Sequence, residues 1–154
     1  MEPILVAYIG IALITTLAFI GSSYGVTVCG NAVIGAMKKN PGALGTYIAL
    51  CALPSSNGLY GFVAYFLLQP FLVPEIPMFT AVAILGAGII LGFGGLYASI
   101  RQAEVCANGI VGVGAGYNLF AATMVMAVFP ELYSILALLV TILISFNLPA
   151  PIVM

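Results

Sequence analysis

Four long apolar stretches, separated by short polar or Gly- and Pro-rich breaks, organise the chain: roughly residues 4–37, 43–68, 78–110 and 117–148. A helix needs about 20 apolar residues to cross the hydrocarbon core of a bilayer, and each stretch reaches that length. Two of the breaks are plain in the sequence, Lys38-Lys39-Asn40-Pro41-Gly42 and the segment from Gln69-Pro70 to Pro77. The third, Gly114-Ala115-Gly116, is weaker. Without a turn there, however, the last two stretches would form one helix far longer than any bilayer requires. The pattern predicts an all-α membrane protein of four transmembrane helices. The first stretch lacks a basic leading region and runs well beyond the roughly 7 to 15 apolar residues of a signal peptide, so it reads as a mature helix.

The two halves of the chain also match each other. Laid on the first half without a gap, the second half pairs Gly21 with Gly94, Tyr24 with Tyr97, Ala49 with Ala122, Leu59 with Leu132 and Tyr60 with Tyr133. The tyrosines carry the match, since Gly and Ala coincide easily between two apolar sequences. Helix one falls on helix three and helix two on helix four, so residues 1–73 and 74–154 read as two tandem-duplicated helical hairpins of the same orientation. Many alternating-access transporters are instead built from inverted repeats. Small residues concentrate in the first stretch (Gly21, Ser22, Ser23, Gly25, Gly30) and the third (Gly86, Gly88, Gly92, Gly94, Gly95). In lipid such residues let helix backbones approach closely, which places these two helices on the inside of an assembly. The second and fourth, with Phe62, Phe66, Leu136 and Leu139, read as the lipid-facing pair.

Composition makes every charge informative. Of 154 residues, 64% are hydrophobic and 5% charged, against about 25% charged in an average globular domain. Glu2, Lys38, Lys39 and Glu75 fall in the breaks or at the N-terminus. A net charge of −1 with one pair of lysines offers no extended positive surface for nucleic acid. There is no histidine, and Cys29, Cys51 and Cys106 lie in apolar stretches without metal-ligand spacing. They read as small apolar fillers, and zinc, haem and histidine-based catalysis are excluded. Lys38 and Lys39 predict that their loop is cytoplasmic and that both termini lie outside. Arg101 and Glu104, three apart on one helical face, read as a pair that snorkels toward the cytoplasmic turn.

Glu131 is left near the centre of the fourth helix. A charged carboxylate at that depth costs at least about 2.5 kcal/mol, and intramembrane acids are functional by default. In the repeat it aligns with Gly58, so one hairpin carries an acid and the other does not. If helices two and four run in the same direction, Gly58 is level with Glu131, together with Ser55, Ser56, Asn57 and Tyr60. Folding at the glycine turn brings Gln102 to similar depth. Pro54 and Pro130 each remove a helical hydrogen bond and free the carbonyls of Leu50 and Met126. Oxygens from Glu131, Ser56, Asn57, Gln102 and the Leu53 carbonyl make a hard-oxygen environment suited to an alkali cation, while a proton needs fewer partners. Such a carboxylate crosses lipid when neutralised by H+ or Na+ and is held back when empty.

These residues resemble the c subunit, also called proteolipid or K subunit, of V-type rotary ATPases. The carrying segments are Leu53-Pro54-Ser55-Ser56-Asn57-Gly58-Leu59-Tyr60-Gly61-Phe62, Gly95-Leu96-Tyr97 through Gln102, and Glu131-Leu132-Tyr133. Sodium-binding members have a similar Leu-Pro-Gly-Thr-Gln-Gly-Leu-Tyr-Gly segment. The resemblance implies Leu53, Ser56, Asn57, Gln102 and Glu131 as the ligands of Na+ or H+, with Tyr60 closing the site. Ser56 stands where those members have Thr and Asn57 where they have Gln, one methylene shorter, and Pro130 precedes the glutamate. Na+ against H+ stays open, with a lean to Na+ from Gln102 and Ser56 together. The resemblance further implies a rotor ring of identical subunits in a membrane, a prokaryotic plasma membrane by expectation. The ring would turn against a stator a/I-type subunit with a membrane arginine and beside a central-stalk subunit. ATP is hydrolysed elsewhere in such a complex, and this chain has no phosphate-binding loop. It is expected to be a non-catalytic subunit without a cofactor, the ion being cargo. The alternative is a small multidrug or cation antiporter using one membrane glutamate.

Overall fold

The computed structural model describes residues 2–149. Helix α1 spans Pro3–Met37, opening on a proline whose missing N–H would have no partner in the first turn. The lysine break follows, held by the Tyr47 hydroxyl donating to the Asn40 carbonyl at 3.0 Å. The chain returns through α2, Leu44–Ala52, and α3, Ser56–Leu68. Helix α4, Met78–Gly114, and α5, Phe120–Phe146, form the second hairpin. Between them Gly116 adopts φ +94°, a left-handed backbone that only glycine enters freely, and so makes the turn that helix length demands.

The second crossing differs from expectation. Helices α1, α4 and α5 are each long and apolar enough to span a membrane alone, but the second apolar stretch is divided by a 3-10 turn at Leu53–Ser55. Pro54 lies inside it and cannot donate to the preceding turn, so the hydrogen-bond pattern tightens there. Pro130 leaves α5 unbroken.

Helices α1 and α4 form the most extensive contact in the fold, and they run parallel. Gly10 packs against the backbone of Ile84 and Gly88, Gly92 against the Leu13 carbonyl, Gly25 against Ser99, and Gly114 against Ala36. A Cβ on Gly92 would stand 2.7 Å from the Leu13 oxygen, and one on Gly10 2.6 Å from the Ile84 oxygen. Those distances explain why the small residues are there: the two backbones touch. Helices α2 and α3 flank α1, α5 flanks α4, and α3 meets α5. Leu59, Phe62 and Phe66 of α3 and Leu132, Leu136 and Leu139 of α5 are exposed, the lipid-facing pair anticipated from their size. Cys29 and Cys106 are buried and Cys51 is partly so, all three as free thiols.

Candidate ion-binding site

Glu131 occupies the middle third of α5 and is partly buried. The Tyr60 hydroxyl of α3 donates to its Oε1 at 2.7 Å, and Nε2 of Gln102 on α4 donates to its Oε2 at 2.9 Å. Both carboxylate oxygens are thus held from two other helices. Gln102 is fully buried. Its Nε2 also reaches the Ala127 carbonyl at 3.1 Å, one turn before Glu131, and its Oε1 accepts from Nδ2 of Asn57 at 3.1 Å. Asn57, on α3, is fully buried as well, and its Oδ1 has no partner among the described residues. The result is a chain of polar groups, Asn57 to Gln102 to Glu131, with Tyr60 closing the other side.

Ser56 and Leu53 stand apart from this chain. The Ser56 hydroxyl donates to the Leu53 carbonyl at 2.9 Å, so these two oxygens pair with each other across the 3-10 turn and make no direct bond to Glu131. Arg101 and Glu104 form the anticipated ion pair at 2.9 Å. Arg101 has a second partner besides Glu104. Its guanidinium reaches back toward the N-terminal side of α4, donating to the Tyr97 hydroxyl at 2.7 Å and lying 4.8 Å from the centre of that ring. Helical side chains lean toward the N-terminus, and Tyr97 offers both a hydrogen-bond acceptor and a π face, while half of the Arg101 side chain stays exposed.

The break at Pro54 holds groups that the sequence alone did not single out. The Ser22 hydroxyl of α1 donates to the Pro54 carbonyl at 2.9 Å and accepts from the Gly58 N–H at 2.6 Å. It therefore bridges the two groups that a regular helix would pair directly. Ser99 of α4 donates to the same carbonyl at 3.0 Å. The freed carbonyls anticipated at Leu50 and Met126 are not those that these side chains bind: they bind the oxygen of Pro54, a turn beyond Leu50, and that of Ala127, the residue after Met126. Ser22 and Ser99 fix the start of α3, and with it Asn57 and Tyr60. A Cβ on Gly58 would lie 3.0 Å from Ser22 Oγ, so the position that mirrors Glu131 points into α1 and has no room for a carboxylate.

The model of the ATP synthase C subunit family matches the chain twice, over residues 9–68 and 85–144. The chain belongs to the ATP synthase C subunit family. Its two matched copies are the tandem hairpins. Among curated relatives, the A-type ATP synthase K subunit of Methanocaldococcus jannaschii is 32% identical over 93% of this chain and 63% of its own length. This chain thus spans somewhat under two thirds of that relative. The V-type sodium ATPase K subunit of Enterococcus hirae is 30% identical over 92% of this chain and 90% of its own. The V-type proton ATPase c subunit of Candida tropicalis is 25% identical over 89% and 86%. The chain is a c/K-type subunit of the rotary ATPases, an integral membrane component of the ion-translocating rotor ring and not itself a catalytic subunit. These relatives do not support the antiporter alternative.

Proposed function

We propose that Glu131 is the ion carrier of this rotor subunit, with Tyr60, Gln102 and Asn57 as the groups that hold it. The observation that carries the reading is the convergence of Tyr60 and Gln102 on the two oxygens of one mid-helix carboxylate. Charge-assisted hydrogen bonds of this kind are about twice as strong as neutral ones, and here they come from side chains fixed on separate helices. An empty, charged carboxylate is costly in lipid and stays where a polar partner faces it. Neutralised by one monovalent cation, it can pass the acyl chains as the ring turns. A membrane arginine of a stator a/I-type subunit would release the ion, and a central-stalk subunit would pass on the torque of ATP hydrolysis. Both termini would lie outside a prokaryotic plasma membrane, with Lys38 and Lys39 exposed in the opposite loop. Residues 1–73 would form the hairpin without a carrier and 74–154 the one with it.

For the cation, Na+ is favoured over H+ by one observation: Asn57 Oδ1 is a buried carbonyl oxygen beside the carboxylate cluster with no hydrogen-bond donor among the described residues. A buried acceptor without a partner costs about 1–3 kcal/mol, and a bound cation would remove that cost. Ser56 and the Leu53 carbonyl complete the proposed oxygen set after a small rearrangement of the 3-10 turn.

Two measurements on the reconstituted complex test the reading. Glu131→Gln is expected to abolish ATP-driven cation uptake while the ring still assembles, and retained uptake contradicts the carrier assignment. With the wild type, uptake at fixed pH should require Na+ and persist when a protonophore collapses the proton gradient; Na+-independent acidification identifies H+ as the cargo instead.

A further inference from the structure

Three side chains compete for one backbone oxygen at the start of α3. The Pro54 carbonyl accepts from Ser22 Oγ of α1 at 2.9 Å, from Ser99 Oγ of α4 at 3.0 Å and, more distantly, from Nδ2 of Asn57 at 3.5 Å. A carbonyl oxygen has two lone pairs, and the two hydroxyls take them at ordinary hydrogen-bond length. The third claimant is held off. Its amide makes its shorter bond to Gln102 Oε1, at 3.1 Å. Because the amide group is planar, that bond also sets the direction of Asn57 Oδ1, the buried oxygen without a donor among the described residues.

Of the two serines, Ser99 has this single task. A hydroxyl within a helix commonly turns back to the carbonyl four residues earlier, as Thr15, Thr27 and Thr141 do here toward Ile11, Ser23 and Ala137. Ser99 instead reaches across to α3, fully buried, from the helix face that carries Gln102 three residues on. Ser22 also serves the Gly58 N–H, so its loss disturbs the start of α3 directly, whereas the Ser99 hydroxyl bonds the Pro54 oxygen alone. A Cβ on Gly25 would stand 2.7 Å from Pro54 Cβ and 3.1 Å from Ser99 Oγ, so α1 closes the spot to water. If the hydroxyl is lost, the nearest donor able to satisfy the Pro54 oxygen is the Asn57 amide, one turn away. We propose that Ser99 is a positioning residue for the cation: by occupying the Pro54 carbonyl it keeps the Asn57 amide on Gln102 and Oδ1 available to the ion. Without it the amide swings to Pro54, Gln102 Oε1 loses its donor and Oδ1 leaves its place, while Tyr60 and Gln102 Nε2 still hold Glu131. The inference rests on the reading of Asn57 as a cation ligand and adds the group that aims it.

A double-mutant cycle on the reconstituted complex tests it, reading the Na+ concentration for half-maximal ATP-driven uptake and the maximal rate separately. Ser99→Ala is expected to raise that concentration about tenfold, the effect of one hydrogen bond's worth of misplacement, with the maximal rate unchanged. Asn57→Ala should raise it as well, and adding Ser99→Ala to Asn57→Ala should raise it no further, because the two act through one group. Ser99→Cys, of similar shape with a weaker donor, gives a smaller rise that Asn57→Ala again absorbs, and it carries the test should Ser99→Ala fail to assemble. A further rise in the double variant, or a fall in maximal rate at an unaltered Na+ requirement, marks a merely structural serine and overturns the proposal. An unchanged Na+ requirement in the serine variants, with Asn57→Ala still impaired, overturns it too and leaves Asn57 as a ligand. An unchanged requirement in Asn57→Ala overturns both.

Discussion

At the scale of single residues, the site is a carboxylate held by a hydroxyl and an amide on other helices. Tyr60→Phe removes one hydrogen bond to a charged acceptor, an interaction of about 1.5–3 kcal/mol. The expected result is a rise of about tenfold in the cation concentration needed for half-maximal transport, with ring assembly unchanged; an unaltered value contradicts a role for Tyr60 in holding Glu131. Ser22 acts differently, since its hydroxyl serves two backbone groups at the Pro54 break. Ser22→Ala leaves both poorly satisfied and should cost about 1–3 kcal/mol, read as earlier thermal dissociation of the ring, while a transition matching the wild type would show that water replaces the hydroxyl. Glu131, Gln102, Asn57 and Tyr60 were legible in the sequence because each is polar in an apolar run and their heights follow from the repeat or, for Gln102, from the glycine turn. Ser22 and Ser99 were not. In a run of small residues a serine reads as packing, and only the approach of α1 and α4 to Pro54 shows where each hydroxyl points. The second partner of Arg101 was also not legible, because the Tyr97 hydroxyl sits one turn back on an aromatic side chain that the charge pattern does not weigh.

At the scale of elements, the parallel α1·α4 contact sets the frame on which α3 and α5 meet. Gly10 and Gly88 touch along their backbones, leaving no volume for a side chain. Gly88→Leu is therefore expected to push the two helices apart and remove the ring from detergent extracts, because overpacking of this kind is relieved only by moving backbone. Gly86, whose added Cβ would meet nothing within 4 Å, should accept Ala with ring yield unchanged; equal loss from both would mean that the contact does not govern assembly. The small-residue stripes made this pair legible, and the lengths of the apolar stretches fixed the number of crossings. The division of the second crossing into α2 and α3 was less so. Proline is tolerated inside other membrane helices, as Pro130 is in α5, and what distinguishes Pro54 is the pair of serine hydroxyls that take over its carbonyl.

At the scale of the whole molecule, the two matched repeats differ at the height of the proposed carrier: Glu131 in one, Gly58 in the other. The Ser22 hydroxyl lies 3.0 Å from where a Cβ on Gly58 would stand, and the proposed site accordingly supplies one carrier per chain. Carbodiimide labelling of the assembled ring in membranes, mapped by mass spectrometry, tests this most directly, because the reagent attacks a neutral carboxyl shielded from water. One label per chain is expected, on Glu131, slowed by added Na+, with Glu75 and the Arg101-paired Glu104 unmodified. Labelling at Glu104 in place of Glu131, or none at Glu131 under conditions where the complex transports ions, would contradict a single carrier at that position.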